Sequence, residues 1–218
     1  KQKKSQLPFV TSKLAMSKDF YTVDKKNKWI TNVFSRGRVH LMRSQNNCIL
    51  TSSATVIKDN PLLNCRIEGL KNLSPAKVIL DRELKVPIKS KIFKQSKNDV
   101  LLFFNKNKNK KIKMLKKRRI RVFKIPLSSN GNLDLLIILK KIKKLGFSRV
   151  FLESGLKLNK SFLDMKLINV FCIFFSNKDL KKRGRNSMKK YFAKFIKNKS
   201  KINVKVNLFG DRLIKYKL

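Results

Sequence analysis

Hydrophobic residues occur along this chain in short runs that are separated by polar stretches. Runs of this length, rich in Ile, Val, Leu and Phe, are typical of buried β-strands. The predicted strands cover residues 9–17, 47–53, 76–84, 99–105, 120–127, 148–155 and 169–175. Two further alternating runs at the C-terminus, separated by Gly210-Asp211, predict an antiparallel hairpin.

Apolar positions at helical spacing lie between several of these strands. One helix is predicted to begin at Thr31 or Asn32, a short one lies before Pro61, and another covers 158–167. The clearest helical pattern places Leu135, Leu136, Leu139, Ile142 and Leu145 on one face, with Asn132 as the expected N-cap and Gly146 as the terminator. Strands that alternate with helices predict an α/β fold, a mainly parallel sheet with an antiparallel edge.

Three polar stretches lack this periodicity. Residues 18–28 and the Lys/Asn-rich stretch 106–119 are both predicted to be exposed loops. Residues 177–201 are strongly basic, and we predict a basic insertion that is helical around 187–196. The chain shows neither a G-x-G-x-x-G motif after the first strand nor a Walker P-loop.

The charge of the chain has two interpretations. Its 55 Lys and Arg against 12 Asp and Glu give a formal net charge of +43, which fits binding to a polyanion such as nucleic acid. Lys, Asn, Ile and Phe are also the residues of A/T-rich codons, so the excess fits compositional drift. Because the cations are spread over the whole length, drift is the favoured interpretation, and no nucleic-acid partner is predicted.

Other features of the composition limit the possible classes of protein. Cys48, Cys65, Cys172 and His40 form no ligand-spaced pair, so no metal site is predicted, and scattered cysteines suit a reducing cytoplasm. No apolar run approaches the roughly 18 residues of a membrane span, so no membrane partner is expected. Residues 1–7 are expected to be a linker tail before one domain at 8–218.

The stretch 48–67, "CILTSSATVIKDNPLLNCRI", is almost free of Lys and has clustered hydroxyl residues. It follows a predicted strand, and open α/β sheets bind ligands beyond the carboxyl ends of their strands. Two other strand ends are polar as well. Lys13, Ala15 and Ser17 lie at the first, and Glu153 precedes Gly155 and the start of a helix, where backbone N–H groups can bind an anion.

From Pro8 to about Leu167 these elements resemble the reductase domain of the bifunctional riboflavin-biosynthesis deaminase–reductase. The matching stretches, in order, are "PFVTSKLAMSKD", "KWIT", "RGRVHLMRSQNNCILTSSATVIKDNPLLNCR", "AKVILDREL" and "VFLESGLKLNKSFL". The resemblance implies a dihydrofolate-reductase-like fold and reduction of 5-amino-6-(5-phosphoribosylamino)uracil by NADPH to the ribitylamino product. It also implies a cytoplasmic homodimer with a deaminase domain in the same full-length chain.

The resemblance further implies roles for particular residues. The family's NADPH-contact positions fall on Ala15, Trp29, Thr55, Asp59, Gly155, Leu156, Lys157, Leu158, Asn159, Lys160 and Ser161. Its substrate-contact positions fall on Lys13, Asn27, Arg43, Leu63, Arg66 and Glu153. Arg side chains suit a ribose 5′-phosphate, Lys13 can bond sugar hydroxyls, and Asp59 or Glu153 can assist the proton transfer. Lys13, Asp59 and Glu153 are the candidate catalytic residues.

The chain departs from the family pattern at several positions. Asp19-Phe20 stands where Asp-Gly is usual, Asn27 replaces a Ser, and Leu156-Lys157 replaces Pro-Thr. Roughly the last fifty residues match poorly. Three alternatives therefore stay open: a basic nucleic-acid-binding module, a related pteridine or dihydrofolate reductase, and an inactive domain kept for assembly.

Overall fold

A computed structural model of the chain describes residues 6–94 and 99–218, which form two compact units. The first unit comprises the N-terminal residues to Phe9 and Arg43–Phe151, and the second comprises Val10–Met42 and Leu152–Leu218. Of the predicted linker tail, residues 1–5 lie outside the described residues.

The secondary structure alternates as the sequence predicts. The strands are β1 (Phe9–Met16), β2 (Tyr21–Asp24), β3 (Cys48–Ser52), β4 (Ala76–Leu80), β5 (Val100–Phe104), β6 (Arg121–Lys124), β7 (Arg149–Glu153), β8 (Val170–Phe175), β9 (Gly184–Ser187), β10 (Lys201–Asn203) and β11 (Arg212–Lys217). The helices are α1 (Val33–Ser44), α2 (Ser53–Asp59), α3 (Asn109–Lys117), α4 (Leu135–Lys144), α5 (Leu156–Asp164) and α6 (Lys189–Phe195).

The first unit has a parallel sheet with strand order β7-β3-β4-β5-β6. Leu50 aligns with Val78, and Ile79 aligns with Leu102. Every residue of β4 and β5 is buried. Burial on both faces explains why β5 is a continuous apolar run, and why the run of β4 is interrupted only by the buried Lys77, whose pKa is lowered by burial.

The second unit has strand order β10-β11-β8-β1. Strands β1 and β8 are parallel, whereas β11 runs antiparallel to β8 and pairs with β10 as the predicted C-terminal hairpin. The predicted mixed α/β fold, mainly parallel with an antiparallel edge, is therefore confirmed.

The prediction of two exposed loops was wrong in part. Residues 18–28 contain β2, which pairs antiparallel with β9 more than 150 residues later, with Tyr21 opposite Ser187. Residues 106–119 contain α3, in which Leu115 is fully buried. Lys is a good helix former, and α3 is held by the buried Leu115 together with Lys111, which is partly buried and donates a hydrogen bond to the carbonyl oxygen of Leu84.

Two details of α4 also differ from the prediction. The N-cap is Asp134, whose carboxylate accepts a hydrogen bond from the backbone N–H of Ile137 at 3.0 Å; Asn132 belongs to the preceding turn. Ile138 is buried, whereas Leu136 is 40% exposed, because positions 135, 138, 139 and 142 form one helical stripe and Leu136 lies about 100° around the helix from Leu135.

Candidate active site

Strand β3 is the first part of the Lys-poor segment, residues 48–66. Ser52 is the N-cap of α2, with extended backbone, and its hydroxyl accepts a hydrogen bond from the N–H of Thr55 at 3.3 Å. The helix ends at Asp59 because Asn60 adopts a left-handed conformation. Thr55 and Asp59 are four residues apart and therefore share one face of α2, with Asp59 exposed and Thr55 partly so.

Arg43 lies in the same unit as the chain that follows α2. Its Nη1 donates a hydrogen bond to the carbonyl oxygen of Asn64 at 2.9 Å, which joins the end of α1 to residues 63–66. Leu63 is buried and has a φ of 50°, so its side chain anchors the segment. Arg66 is exposed. The structure thus places the guanidinium group of Arg43 against the segment, and Arg66 is an exposed residue three positions beyond Leu63.

In the second unit, β1 separates its side chains onto two faces. Ser12, Leu14 and Met16 are buried, while Lys13 and Ala15 are partly exposed on the opposite face, as the two-residue period of a strand requires. The two predicted site residues of β1 are therefore neighbours on one face of the sheet.

The loop after β2 carries Asn27 and Trp29. The side-chain amide of Asn27 donates to the carboxylate of Asp24 at 2.8 Å, and the N–H of Lys26 donates to the same group at 2.9 Å. These two hydrogen bonds, with the nearby charge of Arg183, hold the pKa of Asp24 below its usual value. A charged Asp24 consequently fixes the start of this loop.

Trp29 is a large aromatic side chain that is 55% exposed. The ammonium of Lys28 and the guanidinium of Arg36 lie 5.2 and 5.1 Å from its ring centroid. Cations at this distance are attracted by the electron-rich ring faces, so the exposed indole stands in a positively charged setting that suits an anionic ligand.

The turn from β7 into α5 is an anion-binding geometry. Gly155 is the N-cap of α5 and offers no side chain to the first-turn N–H groups, and a Cβ built on it would meet no atom within 4 Å. Lys157 is exposed in the first turn of the helix. Open space, backbone donors, the helix dipole and a cation together favour a phosphate group here.

Asn159 supports this turn from inside the unit and is fully buried. Its Nδ2 donates to the carbonyl oxygens of Ser154 and Gly155 at 3.0 and 3.2 Å, and its Oδ1 accepts from the hydroxyl of Ser12 on β1. Leu156 is also buried. Sequence reasoning missed Ser12, although its place two residues before Leu14 on the buried face of β1 was a signal that it had a partner.

The described residues contain neither an exposed thiol nor a cluster of potential metal ligands. Among the described residues no three His, Cys, Asp or Glu side chains are grouped to hold a metal ion. All three cysteines are buried and unpaired, and burial raises the pKa of Cys48 to about 12 and that of Cys172 to about 11. No helix in the described ranges has the length and apolarity to cross a membrane.

The predicted site residues thus form two sets. The first unit holds Arg43, Thr55, Asp59, Leu63 and Arg66, and the second holds Lys13, Ala15, Asn27, Trp29, Glu153 and the 155–161 turn. A pocket of about 270 Å³ in the second unit contains none of them; it is lined by Leu163, Lys166, Ile168, Phe195, Lys199 and Leu218.

The fold has solved counterparts of the dihydrofolate reductase type. A dihydrofolate reductase from Enterococcus faecalis superposes with a TM-score of 0.51 over 96% of this chain and 95% of its own, at 10% identity, a likeness that concerns the fold alone. The implied dihydrofolate-reductase-like fold is confirmed.

The chain belongs to the RibD C-terminal domain family, whose family model matches residues 8–180. It is 30% identical over 189 residues to the riboflavin biosynthesis protein RibD of Chlamydia trachomatis, which covers 84% of the chain and 50% of the relative. The chain spans about half the length of the curated relatives it matches.

A solved structure of a bifunctional enzyme from Thermotoga maritima is similar to nearly the whole of this chain. It is a diaminohydroxyphosphoribosylaminopyrimidine deaminase/5-amino-6-(5-phosphoribosylamino)uracil reductase, 25% identical, with a TM-score of 0.75 over 97% of this chain and 57% of its own. The resemblance read from the sequence motifs is confirmed.

Proposed function

We propose that this chain is a reductase domain of riboflavin biosynthesis that reduces 5-amino-6-(5-phosphoribosylamino)uracil to 5-amino-6-(5-phosphoribitylamino)uracil with NADPH. The observation that carries the proposal is the family match over residues 8–180. The reaction named for the Thermotoga maritima relative supplies the substrate.

The residues of the β7–α5 turn fit the pyrophosphate of a nicotinamide cofactor. The side-chain-free cap at Gly155, the space around it and the exposed Lys157 are the features that a bound diphosphate needs. We assign Gly155 to Ser161 to the cofactor, with Ala15, Trp29, Thr55 and Asp59. Buried Leu156 and Asn159 hold the turn in shape, so their contribution is to its backbone. NADPH, when bound, supplies the hydride for C1′ of the ribose.

The substrate is assigned to the remaining side chains. Arg43 and Arg66 provide guanidinium groups, which bind phosphate through paired hydrogen bonds, and Leu63 orders the backbone between them. Lys13 on β1 is assigned to the sugar hydroxyls, and Asn27 to the substrate as well. Asp59 or Glu153 is the carboxylate proposed to move the proton that accompanies opening and reduction of the sugar.

The assembly of the whole protein is part of the same proposal. The curated relatives are about twice as long as this chain, which supports a deaminase domain in the same full-length chain. We propose that the protein acts as a homodimer in the cytoplasm.

The experiment is turnover of NADPH by the purified chain with the deaminated pyrimidine ribosyl phosphate, beside dihydrofolate as the matched alternative. Oxidation with the first substrate and none with the second is the expected result. A folded chain that neither binds nor oxidises NADPH would refute the proposal. Turnover of dihydrofolate alone would replace it with the pteridine-reductase alternative, which the likeness to dihydrofolate reductase favours only at the level of the fold.

A further inference from the structure

The basic segment, residues 177–201, is joined by hydrogen bonds to the turn between β1 and β2. The N–H of Lys18 donates to the carbonyl oxygen of Lys178, and the N–H of Met188 donates to that of Phe20. The N–H groups of Leu180 and Lys181 both donate to the carboxylate of Asp19, at 3.1 and 2.7 Å. The segment therefore makes contacts with a turn that begins two residues after Ala15.

Phe20 has a left-handed backbone, with a φ of 69°, a region that glycine tolerates better than a residue with a Cβ. Its ring centroid lies 5.1 Å from that of Phe192 on α6 and 6.2 Å from that of Phe175 on β8. Phe192 also meets Tyr216 edge-on. Aromatic burial against α6 thus offsets the backbone strain that the departure from Asp-Gly introduces.

Strand β9 continues the connection along β2. Gly184 aligns with Asp24, and Tyr21 aligns with Ser187. Gly184 has a φ of −70°, which any residue can adopt, but a Cβ built there would lie 2.2 Å from the ring of Tyr21. Glycine is required at this position because the Tyr21 ring lies directly against its backbone.

Asp24 and Lys25 connect the basic segment to the 24–29 loop, which carries the predicted site residues Asn27 and Trp29. Asp24, held opposite Gly184, accepts hydrogen bonds from the N–H of Lys26 and the amide of Asn27. The N–H of Lys25 donates to the carbonyl oxygen of Arg183 at 3.0 Å. The described contacts run without a break from the basic segment to Asn27, two residues before Trp29.

We propose that the basic segment is the scaffold of the 24–29 loop, with Gly184 and Phe192 as positioning residues for substrate binding. The substrate part of this inference rests on the proposed function. The segment, distant in sequence, supports the Asp19-Phe20 turn through its hydrogen bonds to Asp19 and through the contact of Phe192 with Phe20.

The test compares Gly184→Ala, Tyr21→Ala and the double variant with the wild-type chain. Two readouts are needed: hydrogen–deuterium exchange of residues 20–28, and KM and kcat for the ribosyl phosphate. Gly184→Ala should speed exchange in 20–28 and raise KM about tenfold, with a much smaller change in kcat, because a misplaced loop weakens ground-state and transition-state binding alike.

The double variant separates positioning from general damage. Truncating Tyr21 removes the ring that the new Cβ would meet, so Gly184→Ala should cost little in the Tyr21→Ala background. Lys190→Ala, an exposed position on α6, is the matched control and should leave both readouts unchanged. Phe192→Leu, which keeps an apolar side chain, should give a milder form of the Gly184→Ala effect, and Phe192→Ala a stronger one.

The outcomes distinguish the two proposals. Unchanged exchange of 20–28 in Gly184→Ala would overturn the scaffold. Faster exchange with an unchanged KM would overturn the role of Gly184 in positioning the substrate. A wild-type chain that does not turn over the ribosyl phosphate would defeat the proposed function and with it the substrate part of the inference. The exchange data would then decide the scaffold alone.

Discussion

The Lys-poor segment, residues 48–66, and the basic segment, residues 177–201, show opposite responses to the same compositional bias. The first contains one Lys and begins with four fully buried residues, Cys48 to Thr51. In the second, every Lys and Arg is exposed, and Asp179 is its only acidic residue. Cations have accumulated where side chains reach water and are nearly absent from a buried strand and its capped helix.

In these two segments the positive charge therefore follows the exposure of the side chains. An exposed Lys costs little, whereas a buried unpaired charge is expensive. The basic segment keeps its few apolar residues for internal contacts: Leu180, Met188 and Ile196 are all buried. It is anchored by these residues and by its backbone, and its cations point outward.

The largest effect on the free energy of unfolding is expected from placing a Lys in the buried strand of the Lys-poor segment. Ile49 on β3 is fully buried and is aligned with the buried Lys77 of β4, so Ile49→Lys would place a second ammonium group in the sheet beside the first. The free energy of unfolding should fall by at least about 4 kcal/mol, as measured by urea denaturation. Lys189→Ile on exposed α6 is the reverse control, and a comparable loss there would contradict the contrast.

The next effect concerns ligand binding in the Lys-poor segment. Arg66 is exposed and is assigned to the substrate phosphate, so Arg66→Ala should raise KM for the ribosyl phosphate by roughly tenfold to a hundredfold. Lys58→Ala, an exposed cation eight residues earlier on α2, is the matched control. Equal changes in the two variants would mean that only the general positive field attracts the substrate.

The carboxylate of Asp19 tests how the backbone of the basic segment is held, because it accepts hydrogen bonds from Leu180 and Lys181. Burial alone would raise its pKa, but hydrogen bonds from Ser17, Leu180 and Lys181 outweigh burial and hold the pKa below the usual value. A group with a lowered folded-state pKa stabilises the fold above its unfolded pKa, about 3.9, and loses this contribution as the pH falls through the folded pKa.

Asp19→Asn should therefore destabilise the chain by about 1.5 kcal/mol at neutral pH. The difference from wild type should shrink below about pH 3.9, as thermal denaturation at a series of pH values would show. Asp179 is an exposed acid of the basic segment, and Asp179→Asn should show neither effect. A constant Asp19→Asn difference down to the acid limit would mean that the carboxylate charge is not what holds Leu180 and Lys181.

The Lys-poor segment was predictable because its structure is local. Ser52 caps α2 from three residues away, and the helix ends just before Pro61. The buried strand β5 is likewise predictable because it is an unbroken apolar run. Fold class, strand order of the hairpin and the segment's helix all follow from neighbours in sequence.

The contacts of the basic segment with residues 18–28 were not predictable in the same way, because the two stretches are far apart in sequence. Strand β2 exists through pairing with β9, and Phe20 is held by Phe192 on α6. Neither contact leaves a local pattern, so 18–28 read as a loop. The roles of the site residues rest on the family resemblance, since no spacing rule assigns Arg66 to a phosphate.

A smaller effect is expected at Thr51, at the edge of the Lys-poor segment. Its hydroxyl is fully buried and has no hydrogen-bond partner among the described residues. Thr51→Val removes an unsatisfied group at nearly constant shape and should stabilise the chain by about 1 kcal/mol. Thr22→Val is the contrasting control because that hydroxyl donates to the carbonyl oxygen of Asn186. A loss of stability in Thr51→Val would reveal a partner for the hydroxyl.

The smallest effect is expected where the chain is most basic. Lys189, Lys190 and Lys197 are exposed on or just after α6, and replacing all three with Gln should change the free energy of unfolding by less than about 0.5 kcal/mol. Any change should be a slight stabilisation at low salt that fades as ionic strength rises, since removing like charges relieves self-repulsion. Urea denaturation at two salt concentrations measures it. A clear loss in the free energy of unfolding that does not depend on salt would show that these ammonium groups have specific partners. The contrast between the two segments would then fail, because the cations of the basic segment would not be freely replaceable.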